Sequence, residues 1–209
     1  LKAGYNAGDI RELFQGQYKV PKTSELPAGT YRNVMGNDAL AMGLVAGAQL
    51  AGLQPVLGSY PITPASTILE ALAGYKNHGM ITVQAEDEIA AICAAIGASF
   101  AGSLGMTSTS GPGMALKGEA MGLAISSELP LVIVDIQRAG PSTGMPTKVE
   151  QPDLLQPIFA RNGDAPTPVI ACSPPPDAFE RANPPSRNPV QYMTPAILPA
   201  PHFLPNAAH

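Results

Sequence analysis

The chain has 209 residues, a formal net charge of −4, 45% hydrophobic residues and 13% charged residues. That length suits one domain of ordinary size with extra segments, and the apolar fraction suffices for a core. The negative balance leaves a nucleic-acid role without electrostatic support, and so low a charged fraction points to surface covered by partners.

Cys93 and Cys172 are the only cysteines and form no CxxC pair. Alone they cannot ligate an iron–sulfur cluster or a structural zinc, and they read as free thiols of a reducing, cytoplasmic compartment. No signal peptide is evident. The longest apolar run, Ile89 to Gly102, is alanine-rich and follows three acids, so no membrane span is expected. The chain opens on Leu1 rather than Met, which reads as a piece of a longer polypeptide.

Residues 1–35 mix Gly, Pro and aromatics without a period and read as a linker or an arm lying on a neighbour. Asn37 then suits an N-cap, and Leu40, Leu44, Val45 and Ala48 follow at helical spacing. Val56-Leu57 reads as a short strand that runs into GSYPITPAS, residues 58–66. Two prolines there bracket Ile62 and Thr63 and stiffen the backbone. A helix is expected over Ser66–Tyr75, a strand over Met80–Val83, and a strong helix over Glu86–Ser99. Gly105–Thr109 reads as a strand, Ser110–Gly113 as a tight turn, and Met114–Ser126 as a helix. Pro130–Ile136 is a continuous apolar, β-branched run, the pattern of a strand buried on both faces. Strands alternating with helices predict an α/β domain with a doubly wound parallel sheet. In such sheets ligands bind beyond the carboxyl ends of the strands, where Thr63, Ser110 and Arg138 fall.

Most of the 23 prolines lie from Pro152 onward. Pro184, Pro185 and Pro189 interrupt a stretch with the charges of a helix, and each helix-interior proline costs roughly 3 kcal/mol. An irregular arm is expected there.

Three stretches carry chemistry. In QAEDEIAAICAAIGASFAG, residues 84–102, the acids Glu86, Asp87 and Glu88 suit a helix N-terminus on dipole grounds alone. The body behind them is apolar all round and small, so the helix is buried and lets another backbone approach. A carboxylate at its mouth is placed for proton transfer, and periodicity does not choose among the three. In TSTSGPG, residues 107–113, a glycine-rich turn offers backbone N–H groups to an anion. It is neither GxGxxG nor a Walker A loop, because Leu116 and Lys117 stand at the wrong places. In DIQRAGPSTGMPTKVEQPD, residues 135–153, Arg138 follows the clearest strand and offers a fork for a carboxylate, with Ser142, Thr143 and Thr147 adding hydroxyls. No GxSxG elbow occurs, and His78, His202 and His209 form no cluster, so neither a serine hydrolase nor a histidine metal site is expected.

Taken in order, GSYPITPAS, VQAEDEIAAICAAIGASFAG, TSTSGPG and LVIVDIQRAGPSTGMPTKVEQPDLLQ resemble the α subunit of the 2-oxoacid:ferredoxin oxidoreductases, most closely the 2-oxoglutarate type. The match runs from about Gly36 to Ser173. The resemblance implies a thiamine diphosphate-binding, pyrimidine-domain fold over residues 36–200, with 1–35 as the tail of an interdomain linker. It places on Glu88 the carboxylate that touches the aminopyrimidine N1′ and promotes loss of the thiazolium C2 proton. It implies further cofactor contacts from Tyr60, Pro61, Ser110 and Gly111, and substrate contacts from Thr63, Arg138, Ser142, Thr143 and Thr147, with Thr63 and Arg138 also catalytic. No metal is expected on this chain. Mg²⁺ and a [4Fe-4S] cluster are implied on a β subunit that shares the thiamine diphosphate. The implied reaction is coenzyme A-dependent oxidative decarboxylation of a 2-oxoacid, with ferredoxin as electron acceptor and a second αβ unit in the assembly. Residues 181–209 depart from the family's pattern and carry no functional assignment. A pyruvate- or indolepyruvate-type relative, or a non-catalytic assembly subunit of the same fold, are the alternatives.

Overall fold

The computed structural model of the chain describes residues 1–11, 16, 29–172, 175–201 and 203–204. Ser173, His202 and His209 lie outside the described residues. The chain divides into two units, Leu1–Tyr31 and Arg32–His209. Within the first, where no periodicity was legible, residues Lys2–Ile10 form a helix, α1, that buries none of its side chains.

The second unit runs α2 (Gly36–Leu50), β1 (Pro55–Ser59), α3 (Ser66–Ala73), β2 (Ile81–Gln84), α4 (Glu88–Phe100), β3 (Leu104–Thr109), α5 (Gly111–Leu116), α6 (Gly118–Ser126), β4 (Leu131–Ile136), α7 (Leu155–Phe159), α8 (Pro175–Tyr192) and β5 (Pro195–Ala200). The five strands form one parallel sheet in the order β2-β1-β3-β4-β5. The expected doubly wound α/β architecture is therefore observed. β4 shows why its sequence is apolar throughout. Val132, Val134 and Ile136 pack with α2, α3 and α8, while Leu131 and Ile133 pack with α4 and α6 on the other face. Helix α4 comes down close to the sheet. A β-carbon on Gly58 or Gly105 would collide with the α4 carbonyls of Ala91 or Ala95.

Four local expectations are corrected. Asn37 is not the cap of α2. Met35 takes that place, in extended backbone, and Asn37 is buried in the first turn, where its amide donates to Thr67 Oγ1 at 2.6 Å and to the Pro64 carbonyl at 3.4 Å. Ser110–Gly113 is not a free-standing turn. Ser110 is extended and Gly111 begins α5, with Pro112 in the first turn where its missing N–H costs nothing. The helix expected over 114–126 is two helices, joined at Lys117.

The fourth correction concerns the proline-rich end. Residues 175–192 form α8 and not an irregular arm. Tertiary packing overrides propensity here. Ala178 and Ala182 are fully buried, and α8 lies so close to α2 that a β-carbon on Gly43 would strike the Phe179 carbonyl. β5 tolerates its prolines for a geometric reason. Ile197 N–H donates away from β4, to the Pro168 carbonyl. Pro195 and Pro199 alternate in step with Ile197, so their missing N–H groups face that outer side and leave the β4 ladder intact.

Candidate functional site

The strand order places the reversal of winding between β1 and β3, the position at which α/β sheets open a ligand crevice. Ser59 Oγ and Ser108 Oγ hydrogen-bond across it at 2.7 Å and tie the two strand ends together. The segment after β1 carries Tyr60, Pro61 and Thr63. Tyr60 packs partly buried against the core, whereas Pro61 and Thr63 are exposed. The Thr63 carbonyl accepts from Arg138 Nη1 at 2.6 Å, and the Pro64 carbonyl accepts from Asn37. Thr63 is thus an exposed residue on a backbone held at two successive carbonyls.

The three acids at the head of α4 separate by position. Glu86 is exposed. Asp87 is the N-cap, and its carboxylate accepts from the Ala90 amide at 2.7 Å. Glu88 is the first helical residue and is only 9% exposed. It leans over the start of α5, with Oε1 3.2 Å from where a β-carbon on Gly113 would stand. No hydrogen bond engages its carboxylate among the described residues. That head of α5 is crowded around its glycines, since a β-carbon on Gly111 would meet Asp153 Oδ1 at 2.5 Å. The Ser110 hydroxyl is buried there without a partner among the described residues.

Arg138 follows β4 and is buried. Its second arm, Nη2, donates to the Thr143 carbonyl at 3.0 Å, so one guanidinium links the segment after β1 to the loop after β4. Among the described residues Arg138 Nε has no partner. The loop is shaped by an Ala139–Met145 bridge and by positive φ at Ser142 and Gly144 (58° and 50°). A side chain at 144 would run into the Ala139 carbonyl, so glycine is required there. Ser142, Thr143 and Thr147 all stand exposed on this loop. Thr143 is joined to Arg138 and Thr63. The hydroxyls of Ser142 and Thr147 make no bond to that pair among the described residues.

Three residues missed in the sequence complete the site. Asp153 lies against Gly111, and burial pushes its carboxyl up to about 6, against the pull of Arg138 and with a push from Glu150. Asp135, near the end of β4, is wholly buried with neither oxygen partnered among the described residues, and burial raises its carboxyl well above the usual range, with Asp153 adding to it. Lys117 is the largest fully buried side chain among the described residues. Its ammonium donates to the Glu88 carbonyl at 2.8 Å and to Thr107 Oγ1 at 3.1 Å. Desolvation lowers it to about 8, opposed by the charges of Glu88, Asp87 and Cys93. A signal for Lys117 did exist: it stands three residues after Met114 and four before Met121, on the apolar face. Nothing in the sequence marks Asp153 apart from other loop acids.

The arrangement fits an aminopyrimidine. It pairs a buried carboxylate, unengaged among the described residues, with the unpartnered Ser110 hydroxyl at the head of α5. Among the described residues no cluster of His, Cys, Asp and Glu could hold a metal ion, and no helix is long and apolar enough to cross a membrane.

A switch-point crevice of this kind defines a cofactor-binding α/β domain. The family described as "Pyruvate flavodoxin/ferredoxin oxidoreductase, thiamine diP-bdg", that is, thiamine diphosphate-binding, matches residues 46–205, and the chain belongs to it. It is 56% identical over 198 residues to the 2-oxoglutarate oxidoreductase subunit KorA of Mycobacterium tuberculosis, covering 95% of this chain and 30% of that protein. It is 47% identical over 139 residues to the 2-oxoglutarate synthase subunit KorA of Archaeoglobus fulgidus, covering 66% and 39%. Among solved structures it superposes, with a TM-score of 0.82 and 35% identity, on 2-oxoglutarate:ferredoxin oxidoreductase from Magnetococcus marinus with 2-oxoglutarate, coenzyme A and succinyl-CoA bound, over 98% of this chain and 35% of that one. The resemblance carried by the four motifs is borne out. The chain spans about a third of the length of these relatives.

Proposed function

We propose that residues 36–200 are the pyrimidine-binding domain of the α subunit of a 2-oxoglutarate:ferredoxin oxidoreductase, with 1–35 an interdomain arm. With a β subunit, the complex converts a 2-oxoacid and coenzyme A to acyl-CoA and CO₂ and passes two electrons, one at a time, to ferredoxin. The observation that carries this reading is Glu88: of the three acids only it is buried, and its carboxylate faces the glycine cradle of α5 with no partner among the described residues.

What thiamine diphosphate supplies when bound is the carbon nucleophile for the 2-oxo group and a sink for the electron pair left by CO₂. Glu88 holds the proton at the aminopyrimidine N1′. Tyr60, Pro61, Ser110 and Gly111 line the ring's surroundings. Thr63, Arg138, Ser142, Thr143 and Thr147 receive the 2-oxoacid, and Arg138 serves twice, because its grip on the Thr63 carbonyl also aims the Thr63 hydroxyl. Mg²⁺ and the [4Fe-4S] cluster belong to the β subunit, since this chain's two cysteines, one exposed and one buried, are too few for a cluster. The complex is cytoplasmic and pairs two αβ units.

Single-turnover reduction of the cluster in the assembled αβ complex tests this. Wild type with 2-oxoglutarate should reduce rapidly, and Glu88→Gln should lose about 10²-fold or more while still assembling. Unchanged rates in Glu88→Gln would remove Glu88 from the proton path. Reduction by pyruvate but not by 2-oxoglutarate would keep the family and overturn the substrate.

A further inference from the structure

We propose that Lys117 is a positioning residue for the Glu88 carboxylate, acting through the main chain of Glu88 and the hydroxyl of Thr107. The inference rests on the reading of Glu88 given above. A lysine with no exposed surface is rare in a domain of this size and needs a reason.

Its surroundings supply one. Lys117 sits at the joint of α5 and α6, and that joint turns its side chain inward beneath the head of α4. Two of its three protons are spent, one on the Glu88 carbonyl and one on Thr107 Oγ1. The first bond grips the residue that carries the carboxylate. The second anchors to the middle of β3, a strand of the central sheet. Lys117 therefore sets the height of the first turn of α4 above β3, and with it the distance from Glu88 to the cradle at Gly113. The Asp87 cap holds the same turn along the helix axis, and Lys117 holds it against the sheet. The charged or titratable groups acting on the ammonium are Glu88 and Cys93 of α4 and Asp87, its cap.

The burial of this charge separates positioning from simple stabilisation. An ammonium whose folded value falls to about 8 from 10.5 weakens the fold at lower pH. The full cost is present below about pH 8, where both folded and unfolded states are protonated. It fades between about 8 and 10.5, where only the unfolded chain keeps its proton. Removing the ammonium relieves that desolvation cost, set against the loss of its two hydrogen bonds to Glu88 and Thr107.

The test uses the αβ complex and reads thiamine diphosphate affinity by titration, single-turnover cluster reduction, and thermal stability. Lys117→Met should melt no lower than wild type at pH 7, with any gain shrinking above pH 8. It should lower the single-turnover rate by about 10- to 100-fold and weaken thiamine diphosphate binding. In a Glu88→Gln background the same substitution should cost less than about twofold, because the carboxylate it positions is gone. Thr107→Val should follow Lys117→Met in direction, and Thr107→Ser should restore most of the rate.

Wild-type affinity and rate in Lys117→Met, or an equal loss with and without the Glu88 carboxylate, would overturn the proposal. If Lys117→Met fails to assemble, the Thr107→Val and Thr107→Ser pair makes the same decision. A wild-type complex that binds no thiamine diphosphate would overturn the proposed function itself, and this shows before any Lys117 variant is compared.

Discussion

Asp153 shows how a single side chain can couple this site to pH. It is buried between Gly111 and the reach of Arg138, and its Oδ2 has no partner among the described residues. Burial outweighs the attraction of the arginine, so the carboxyl sits at about 6 instead of 3.8. The folded chain keeps a proton that the unfolded chain has already lost. Stability therefore falls as pH rises from about 4 to about 6, and the loss persists above that window. Asp153→Asn carries no charge to desolvate. Its melting temperature should exceed that of wild type at pH 7, and the difference should vanish below about pH 4. A difference equal at both pH values would mean that the Asp153 carboxyl is solvated and does not border Gly111 as described.

At the scale of elements, the placement of α4 decides where its carboxylate stands. Gly58 on β1 and Gly105 on β3 admit the helix backbone directly onto the sheet. Gly105→Ala would press a methyl into the Ala95 carbonyl and Ser99 Oγ. It should destabilise the chain by about 1–3 kcal/mol and weaken thiamine diphosphate binding in the αβ complex, since α4 cannot rise at Gly105 without lifting Glu88. Gly97 lies on the outer face of the same helix with open space around it. Gly97→Ala should stabilise the isolated chain by about 0.8–1 kcal/mol. Melting curves of the two variants check both signs, and a neutral Gly105→Ala would contradict the close seating of α4.

Elements of this kind were legible where local pattern and tertiary packing agree. The apolar run of β4 announced burial on both faces because it is buried on both faces. The small-residue body of α4 likewise announced close approach. Pattern failed where a polar group answers to something distant in sequence. Asn37 has the chemistry of a cap, but its amide goes to Pro64 and Thr67, some 30 residues on. Lys117 looked like a misplaced Walker lysine and is instead a strut beneath α4. α8 contradicts its own propensities because α2 lets it approach closely at Gly43. Within the site, Thr63 and Arg138 were each readable from their place after a strand. That the arginine holds the threonine's carbonyl, across a sequence separation of 75, was not.

For the whole molecule, the open question is what covers the faces this domain leaves bare. β2 is an edge strand with Ile81 and Val83 exposed. The outer side of α4 presents Ile89, Cys93, Gly97 and Phe100 in a row at helical spacing, and Phe100 is 82% exposed. A stripe this apolar and this small suits close packing of another chain. On the proposed function a β subunit shares the cofactor that Glu88 holds at the head of α4, which makes it the chain expected to cover this stripe. The two thiols offer a direct readout. Cys93 is exposed, whereas Cys172 is buried and its thiol is pushed up to about 12, so only Cys93 should react readily with an alkylating reagent at pH 7.5. In the isolated chain, labelling should reach one thiol per chain quickly. On assembly with the β subunit, the Cys93 rate should fall by about tenfold or more, and thiamine diphosphate should not be needed for that protection. Full reactivity of Cys93 in an active αβ complex would show that the partner reaches the cofactor from the loop side, past Thr63 and Thr143, and leaves the outer face of α4 to solvent.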